Sequence, residues 1–216
     1  MEERRERLKD WIFRLSVVAV MMILTIIAIS FSGCSQGATN ITGPSPTTTT
    51  TILDSSNDED LKLVKQYNSD LSGGKATRWN KSIVTVYDST GKVNLQSVLN
   101  EWNAVLAGKL TLAVGGQGSD IEIVRDDSVA CGVGGYYPYN GIIIPRGIRI
   151  SQTCLELPYD ANLTAEHEIG HVIGFFGHTN SGVMSNNAHT ITSQITSEIS
   201  RMLNKLYSIE LGAQIV

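Results

Sequence analysis

Three histidines and one glutamate lie within the twelve residues HEIGHVIGFFGH, which run from His167 to His178. His167 and His171 are four residues apart, so on an α-helix both imidazoles project from one face and can bind the same metal ion. Glu168 lies about 100° further around that helix. From there its carboxylate can reach a water molecule beside the ion without binding the ion itself. The pattern therefore predicts a zinc site that activates water.

A third zinc ligand has to come from beyond the helix. Gly174 follows His171 by three residues, and glycine readily adopts the positive-φ conformation that ends a helix and turns the chain back. His178 comes four residues later and can then face the same ion. Zinc held by three protein ligands keeps a position for water and lowers the pKa of that water to about 7. A carboxylate can take the proton and deliver it to a leaving amine, which is the chemistry of peptide-bond hydrolysis.

The HExxHxxG pattern, a further histidine and a nearby methionine resemble the signature of the metzincin metallopeptidases, especially their matrixin-like bacterial members. The resemblance implies that His167, His171 and His178 bind Zn²⁺ and that Glu168 is the general base. It also implies that Met184 forms the Met-turn that supports the site from below. The plainer interpretation of Met184 is a core residue, since methionine more often packs than forms a site.

The spacing departs from the metzincin pattern in one place. The family has HxxGxxH, whereas this chain has HxxGxxxH, because the three residues FFG separate Gly174 from His178. The loop therefore has to absorb one extra residue if His178 is a ligand. His189 is the alternative third ligand, and its plainer interpretation is a surface histidine.

The elements that position these residues follow from hydrophobic periodicity. Strands are predicted at residues 82–87, 110–114, 120–124, 141–144 and 146–150. Helices are predicted at 93–106, just after Pro158 and at 192–207, and Asp160 or Asn162 can cap the second of them. With the resemblance, these elements predict an α+β fold. It is a metzincin-like zincin domain with a twisted mixed sheet of about four strands, an active-site helix, a Met-turn and a C-terminal helix.

The sequence does not identify which strand would bind the substrate. In metzincins an edge strand pairs with extended substrate, and the resemblance offers two candidates here, residues 147–151 and residues 141–144. The Gly- and Tyr-rich residues 134–139 either line the cleft or form an exposed aromatic loop. Cys131 and Cys154 form a disulfide if the chain is exported, or are two buried thiols.

The N-terminus predicts export. Residues 2–14 are highly charged, residues 15–31 are almost wholly apolar, and the following Ser-Gly-Cys34 resembles the lipobox of bacterial lipoproteins. Residues 1–33 are thus a lipoprotein-type signal peptide or membrane anchor, with an ordinary signal peptide as the alternative, and Cys34 is the lipidation site. Residues 34–60 are a flexible Ser/Thr/Pro-rich tether, and residues 61–216 are the metallopeptidase domain.

These features predict a zinc-dependent endopeptidase that hydrolyses peptide bonds with metal-activated water and a glutamate base. It would be extracytoplasmic, monomeric, and either anchored to the membrane or secreted, with a protein or peptide as substrate. The net charge of -4 gives no reason to expect a nucleic-acid partner. Two alternatives stay open: a non-catalytic, zinc-containing lipoprotein binding module, and a hydrolase of non-protein amides.

Overall fold

The computed structural model describes residues 50–156, 160–186 and 191–216. In chain order the elements are β1 (Ile52–Leu53), α1 (Glu59–Val64), β2 (Ile83–Asp88), α2 (Leu95–Leu106), β3 (Thr111–Val114), β4 (Ile121–Arg125), β5 (Gly132–Tyr139), β6 (Ile142–Ile150), α3 (Gln152–Leu155), α4 (Ala161–Val172), α5 (Ser197–Leu206) and β7 (Gln214–Ile215). A π-helical turn at Lys65–Ser69 continues α1. The predicted signal peptide, Cys34, most of the tether and His189 lie outside the described residues. Within the described ranges, no helix is both long and apolar enough to cross a bilayer.

The fold is α+β, with a five-stranded mixed sheet in the order β3-β2-β4-β6-β5. Strands β3, β2, β4 and β6 run parallel to one another, and β5 pairs antiparallel with β6 at the sheet edge. The parallel strands bury β-branched residues such as Val84, Val86 and Ile123, as the sequence pattern predicted. The mixed sheet therefore agrees with the predicted class.

Strand β5 was not predicted as a strand. Residues 134–139 form part of it rather than an exposed loop, and it makes the sheet one strand larger than the four expected. The sequence pattern does not indicate a strand here because Gly132, Gly134 and Gly135 have low strand propensity. A register shift between Gly135 and Tyr136 lies close to Pro145, which pairs with Tyr136. Because this irregularity accommodates Pro145, β6 continues past the proline as one strand. It therefore joins the two strands predicted at residues 141–144 and 146–150.

Two amphipathic helices, α2 and α5, pack against each other, and α2 also packs against α4. One face of α2 is buried through Leu95, Val98, Leu99, Trp102 and Leu106. One face of α5 is buried through Ile199, Met202, Leu203 and Leu206, as its periodicity predicted. The indole N–H of Trp102 donates to the Glu166 carbonyl of α4 at 3.1 Å. This packing fixes the helix that carries the HEIGH motif.

The folded part begins ahead of the boundary at residue 61 that the sequence suggested. Strand β1 pairs in parallel with β7, with Ile52 opposite Gln214 and Leu53 opposite Ile215. The side chain of Asp58 caps α1 by accepting the N–H groups of Asp60 and Leu61. The start of the described chain is thus tied to its end.

Candidate metal centre

Helix α4 starts at a well-formed cap. The Asp160 carboxylate accepts the N–H of Asn162 at 2.8 Å and that of Leu163 at 3.4 Å, so Asp160 is the cap of the two candidates. The side-chain oxygen of Asn162 instead accepts the N–H of Asn94 at 2.7 Å, just before α2. His167 and His171 then follow on one face of the helix.

The three predicted histidine ligands come together. Each of His167, His171 and His178 offers one nitrogen that could bind a metal ion, and these three nitrogens all lie within 4.8 Å of one another. The ring centroids are 4.9 Å apart for His167 and His171, 4.9 Å for His171 and His178, and 5.3 Å for His167 and His178. Three imidazoles this close can hold a metal ion.

Hydrogen bonds fix the ring orientation of two of these histidines. Nδ1 of His167 lies 2.7 Å from the Val183 carbonyl oxygen, and Nδ1 of His171 lies 2.8 Å from that of Phe175. A carbonyl oxygen can only accept, so each Nδ1 carries the proton and donates. The lone pair of each neutral ring is therefore on Nε2, the atom that is left for a metal.

The surroundings keep these rings neutral. Burial lowers the pKa of His167 and of His178 below the usual value. Burial also lowers the pKa of His171 to about 3, and the neighbouring His167 adds to this effect, while the bond to Phe175 opposes it. Metal binding requires the neutral form of histidine, so the three residues are ready to act as ligands at neutral pH.

Glu168 lies beside the histidines, on the wall formed by β5. Its side chain is only 6% exposed, and one carboxylate oxygen accepts the N–H of Gly134. Burial raises the pKa of Glu168 to about 7, and the bond from Gly134 opposes this rise. A carboxyl group with a pKa near neutrality can both accept and return a proton at that pH.

Strand β5 approaches α4 so closely that only glycine fits at two positions. A Cβ on Gly132 would lie 2.9 Å from Cγ of Glu168, and one on Gly134 would lie 2.7 Å from the Glu168 carbonyl oxygen. The edge strand beside the histidines is therefore β5 and neither of the two segments that the sequence suggested. Residues 148–150 of β6 pair with β4 on one side and with β5 on the other, which leaves them no free edge.

Met184 packs directly beneath the histidine-bearing helix. It is fully buried, and its Cε lies where a Cβ on Gly170 would be only 3.0 Å away. The turn around it is held by hydrogen bonds from the N–H of Thr179 to the Met184 carbonyl at 2.8 Å and from the N–H of Val183 to the Gln194 carbonyl at 2.9 Å. Since the Val183 carbonyl oxygen also accepts a hydrogen bond from Nδ1 of His167, this turn supports the site both by packing and by hydrogen bonding.

The C-terminal end of α4 is closed by three side chains from distant parts of the chain. The carbonyl groups there have no partner within the helix. The Val172 carbonyl accepts from the Trp79 indole at 2.8 Å and the Ile173 carbonyl from the Tyr207 hydroxyl at 2.9 Å. The Gly174 carbonyl accepts from the Asn68 amide at 2.7 Å. Sequence reasoning missed these three capping residues, because no local pattern links them to the motif.

Gly174 has the positive φ that the sequence predicted, 114°. The chain turns there, and the following loop brings His178 back to the two helical histidines. Asn68 holds this turn from both sides, because its amide also donates to the Thr77 carbonyl at 2.8 Å and its oxygen accepts the Thr77 N–H at 2.7 Å.

Glu166 is a second buried carboxyl group on α4, which the sequence did not single out. It is only 3% exposed, and its Oε1 atom has no hydrogen-bond partner within the described residues. Burial raises the pKa of Glu166 to about 8, and the nearby Glu101 and Asp160 carboxylates add to the effect. Glu166 is therefore largely protonated at neutral pH.

A disulfide joins Cys131 to Cys154, with their Cα atoms 5.3 Å apart. It ties the start of β5 to α3, and the N–H of Ser151 adds a bond to the Cys131 carbonyl at 2.7 Å. The strand that holds the Glu168 carboxylate is thus anchored covalently at the end next to the histidines.

A groove runs along these residues in two sections. A cavity of about 280 Å³ is lined by Tyr136 and Phe176, whose rings stack with centroids 4.1 Å apart. A second cavity, of about 380 Å³, extends along α4 towards its N-terminus. Both sections are lined by Gly132, His167, Glu168 and His178. The histidine group therefore lies where the two sections meet.

Comparison with known protein families and with curated proteins gave no match for this chain.

Proposed function

We propose that this chain is a zinc-dependent endopeptidase with a metzincin-like domain. The observation that carries the proposal is the convergence of His167, His171 and His178 beside the buried carboxylate of Glu168 in an open groove. A triad of histidines with a neighbouring glutamate is the donor set of catalytic zinc in hydrolases. The Met184 turn beneath the histidines and the antiparallel edge strand β5 support the metzincin assignment.

The residues present fit zinc. Two of the three histidines, His167 and His171, use Nδ1 to donate a hydrogen bond to a carbonyl oxygen, which leaves the lone pair of Nε2 available to bind the metal. Zinc bound there would supply a Lewis acid that polarises the scissile carbonyl and lowers the pKa of water. His167, His171 and His178 would hold it, and the Val183 and Phe175 carbonyls would keep two of these ligands in orientation.

Glu168 performs the proton transfers in this mechanism. Its carboxylate takes a proton from the attacking water and passes the proton to the nitrogen of the leaving amine. The N–H of Gly134 holds the carboxylate against β5, so it is in place before substrate arrives. The edge of β5 offers main-chain groups to an extended peptide, which would add as a further strand and lie across the histidines.

We also propose that the protein works outside the cytoplasm, tethered by its N-terminal segment. The disulfide between Cys131 and Cys154 supports this, because such bonds persist in oxidising compartments.

The test is cleavage of a mixed peptide library by the full-length chain loaded with zinc, with Glu168→Gln beside it. The variant keeps all three histidines and can still accept the Gly134 N–H, so we expect the same zinc content. We expect kcat to fall by about 10²–10⁴-fold, because the base is lost. Glu59→Gln, at an exposed glutamate on α1, is the matched control and should retain full activity.

Three outcomes have different meanings. Cleavage by the wild type and by Glu59→Gln but not by Glu168→Gln supports the proposal. Equal cleavage by Glu168→Gln would refute the assigned base. A wild type that binds one zinc ion and cuts no peptide would refute the peptidase and favour a zinc-containing binding module or a hydrolase of non-protein amides.

A further inference from the structure

The larger section of the groove is an apolar cavity with an acid at its far end. Its volume is about 380 Å³, and it runs along α4, with Ser185, Asn186 and Ile191 also among its lining residues. Leu163 and Thr164 line its middle, and His167 lies at the end that it shares with the histidine group. Asp160 lines it as well, at the N-terminus of α4.

Helix geometry fixes where the acid stands relative to the histidines. Asp160, the N-cap of α4, precedes His167 by seven positions, which is almost two helical turns, so the two positions lie on the same side of the helix. The rise over seven residues is about 10.5 Å. The cavity therefore presents aliphatic surface along its length, and the position that carries its carboxylate precedes the first histidine by about 10 Å along the axis of α4.

The Asp160 carboxylate has no cationic partner within the described residues. Its Oδ1 atom accepts two main-chain N–H groups as the cap of α4, and none of the ion pairs in the described chain includes it. Asp160 and a second carboxylate, Glu101, both act electrostatically on Glu166. Among the described residues, this end of the cavity thus carries a carboxylate that has no ion-pair partner.

We propose that Asp160 makes the enzyme selective for peptides with lysine or arginine at one of the residues flanking the scissile bond. This proposal rests on the proposed function. The long aliphatic stem of the basic side chain packs along Leu163, and its cationic head meets Asp160. The extended reach of such a side chain is about 6–7 Å. This reach covers most of the axial distance of about 10 Å between the two positions, so the cationic head can approach Asp160 from a peptide that lies beside His167.

Asp160→Asn separates this role from the structural role of the residue. Asparagine is as good a helix cap as aspartate, so α4 should start as before and only the charge is lost. Asp58→Asn is the matched control, since Asp58 caps α1 in the same way but does not line the cavity.

The first measurement is cleavage of a peptide library by the full-length, zinc-loaded chain and these two variants. We expect cut sites enriched in Lys and Arg at one flanking position for the wild type and for Asp58→Asn. For Asp160→Asn we expect kcat/KM for the Lys peptide to fall by about 10-fold relative to the matched norleucine peptide. Wild-type cleavage without enrichment, or an enrichment unchanged in Asp160→Asn, would overturn the proposal.

The second measurement does not depend on turnover. The Glu168→Gln chain should bind the Lys peptide about 10-fold more tightly than its norleucine analogue, and adding Asp160→Asn should abolish the difference. A binding preference of this kind in a protein that cleaves nothing would support the role of Asp160 and refute the peptidase. Equal binding of the two peptides by Glu168→Gln would overturn the role of Asp160, whatever the activity of the wild type.

Discussion

Gly170→Ala tests whether the packing beneath the histidines controls metal binding. Gly170 is the glycine within the HEIGH motif, and it lies on the face of α4 that rests on Met184. A Cβ at this position would overlap the Met184 sulfur and lie 3.0 Å from its Cε and 3.2 Å from Cη2 of Trp102. Met184 and Trp102 are both fully buried, so neither side chain has free space into which it can move.

Two opposing effects set the magnitude. Replacing glycine by alanine inside a helix stabilises by about 1 kcal/mol through backbone entropy. Adding a methyl group to a filled core costs about 1–3 kcal/mol, and the overlap with Met184 places this site at the upper end of that range. The expected net loss of unfolding free energy is therefore about 2 kcal/mol.

The affinity of the proposed site for zinc should fall as well. A shift of Met184 moves the adjacent Val183 carbonyl, which holds the His167 ring through a bond of 2.7 Å. Changes to such outer partners of a metal ligand cost about 10- to 100-fold in affinity. Competition with a zinc chelator measures the affinity, and urea unfolding of the full-length chain measures the stability.

The double variant Gly170→Ala/Met184→Ala identifies the cause. Met184→Ala alone leaves a cavity and should cost about 2–5 kcal/mol, whereas the added methyl group would partly fill that cavity in the double variant. The two changes should therefore be less than additive by at least about 1 kcal/mol. Additive losses, or a Gly170→Ala protein as stable as the wild type with unchanged zinc affinity, would refute this account.

Two further predictions concern stability. The pKa of Glu166 rises from 4.5 when unfolded to about 8 when folded, so unfolding releases a proton between these values, and the contribution of Glu166 to stability should fall as pH rises from about 4.5 to 8, by at most about 5 kcal/mol. Glu168, whose pKa rises to about 7, adds a slope of the same sign, so Glu166→Gln should reduce the slope of urea unfolding measured across that pH range without abolishing it, and an unchanged slope would contradict the assignment. Cys131→Ser/Cys154→Ser should lower the unfolding free energy by about 3 kcal/mol, because the bond closes a loop with a sequence separation of 23, and reductant should destabilise the wild type but not the double variant.

The local parts of the centre were predictable because local chemistry determines them. The spacing of His167 and His171, the cap at Asp160 and the glycine at which α4 ends all act within a few residues of the motif. Each depends only on which residue types stand at given positions within or next to one helix. Such features leave a pattern that can be recognised without the rest of the chain.

Strand β5 and the partners of the α4 carbonyls were not predictable for the opposite reason. Glycine at positions 132 and 134 weakens strand propensity, yet it is required by the close approach of β5 to Glu168. The requirement becomes visible only when two segments more than thirty residues apart meet. Asn68 and Trp79 likewise cap a helix about one hundred residues further along the chain. These residue types are required by contacts between segments that are distant in the sequence, so no local sequence pattern predicts them.

The extra residue of the HxxGxxxH spacing has a physical explanation in the π-helical turn at Lys65–Ser69. Phe175 stacks on the Tyr67 ring at 4.6 Å, and its carbonyl orients His171. The N–H of Phe176 donates to the Tyr67 carbonyl at 2.8 Å, and a Cβ on Gly177 would lie 2.7 Å from the same ring. All three residues between Gly174 and His178 therefore contact one turn, which leaves no slack in the loop. Since π-helical turns are rare and are frequently found at functional sites, the longer loop and the π-helical turn are best understood as one device that places the third histidine.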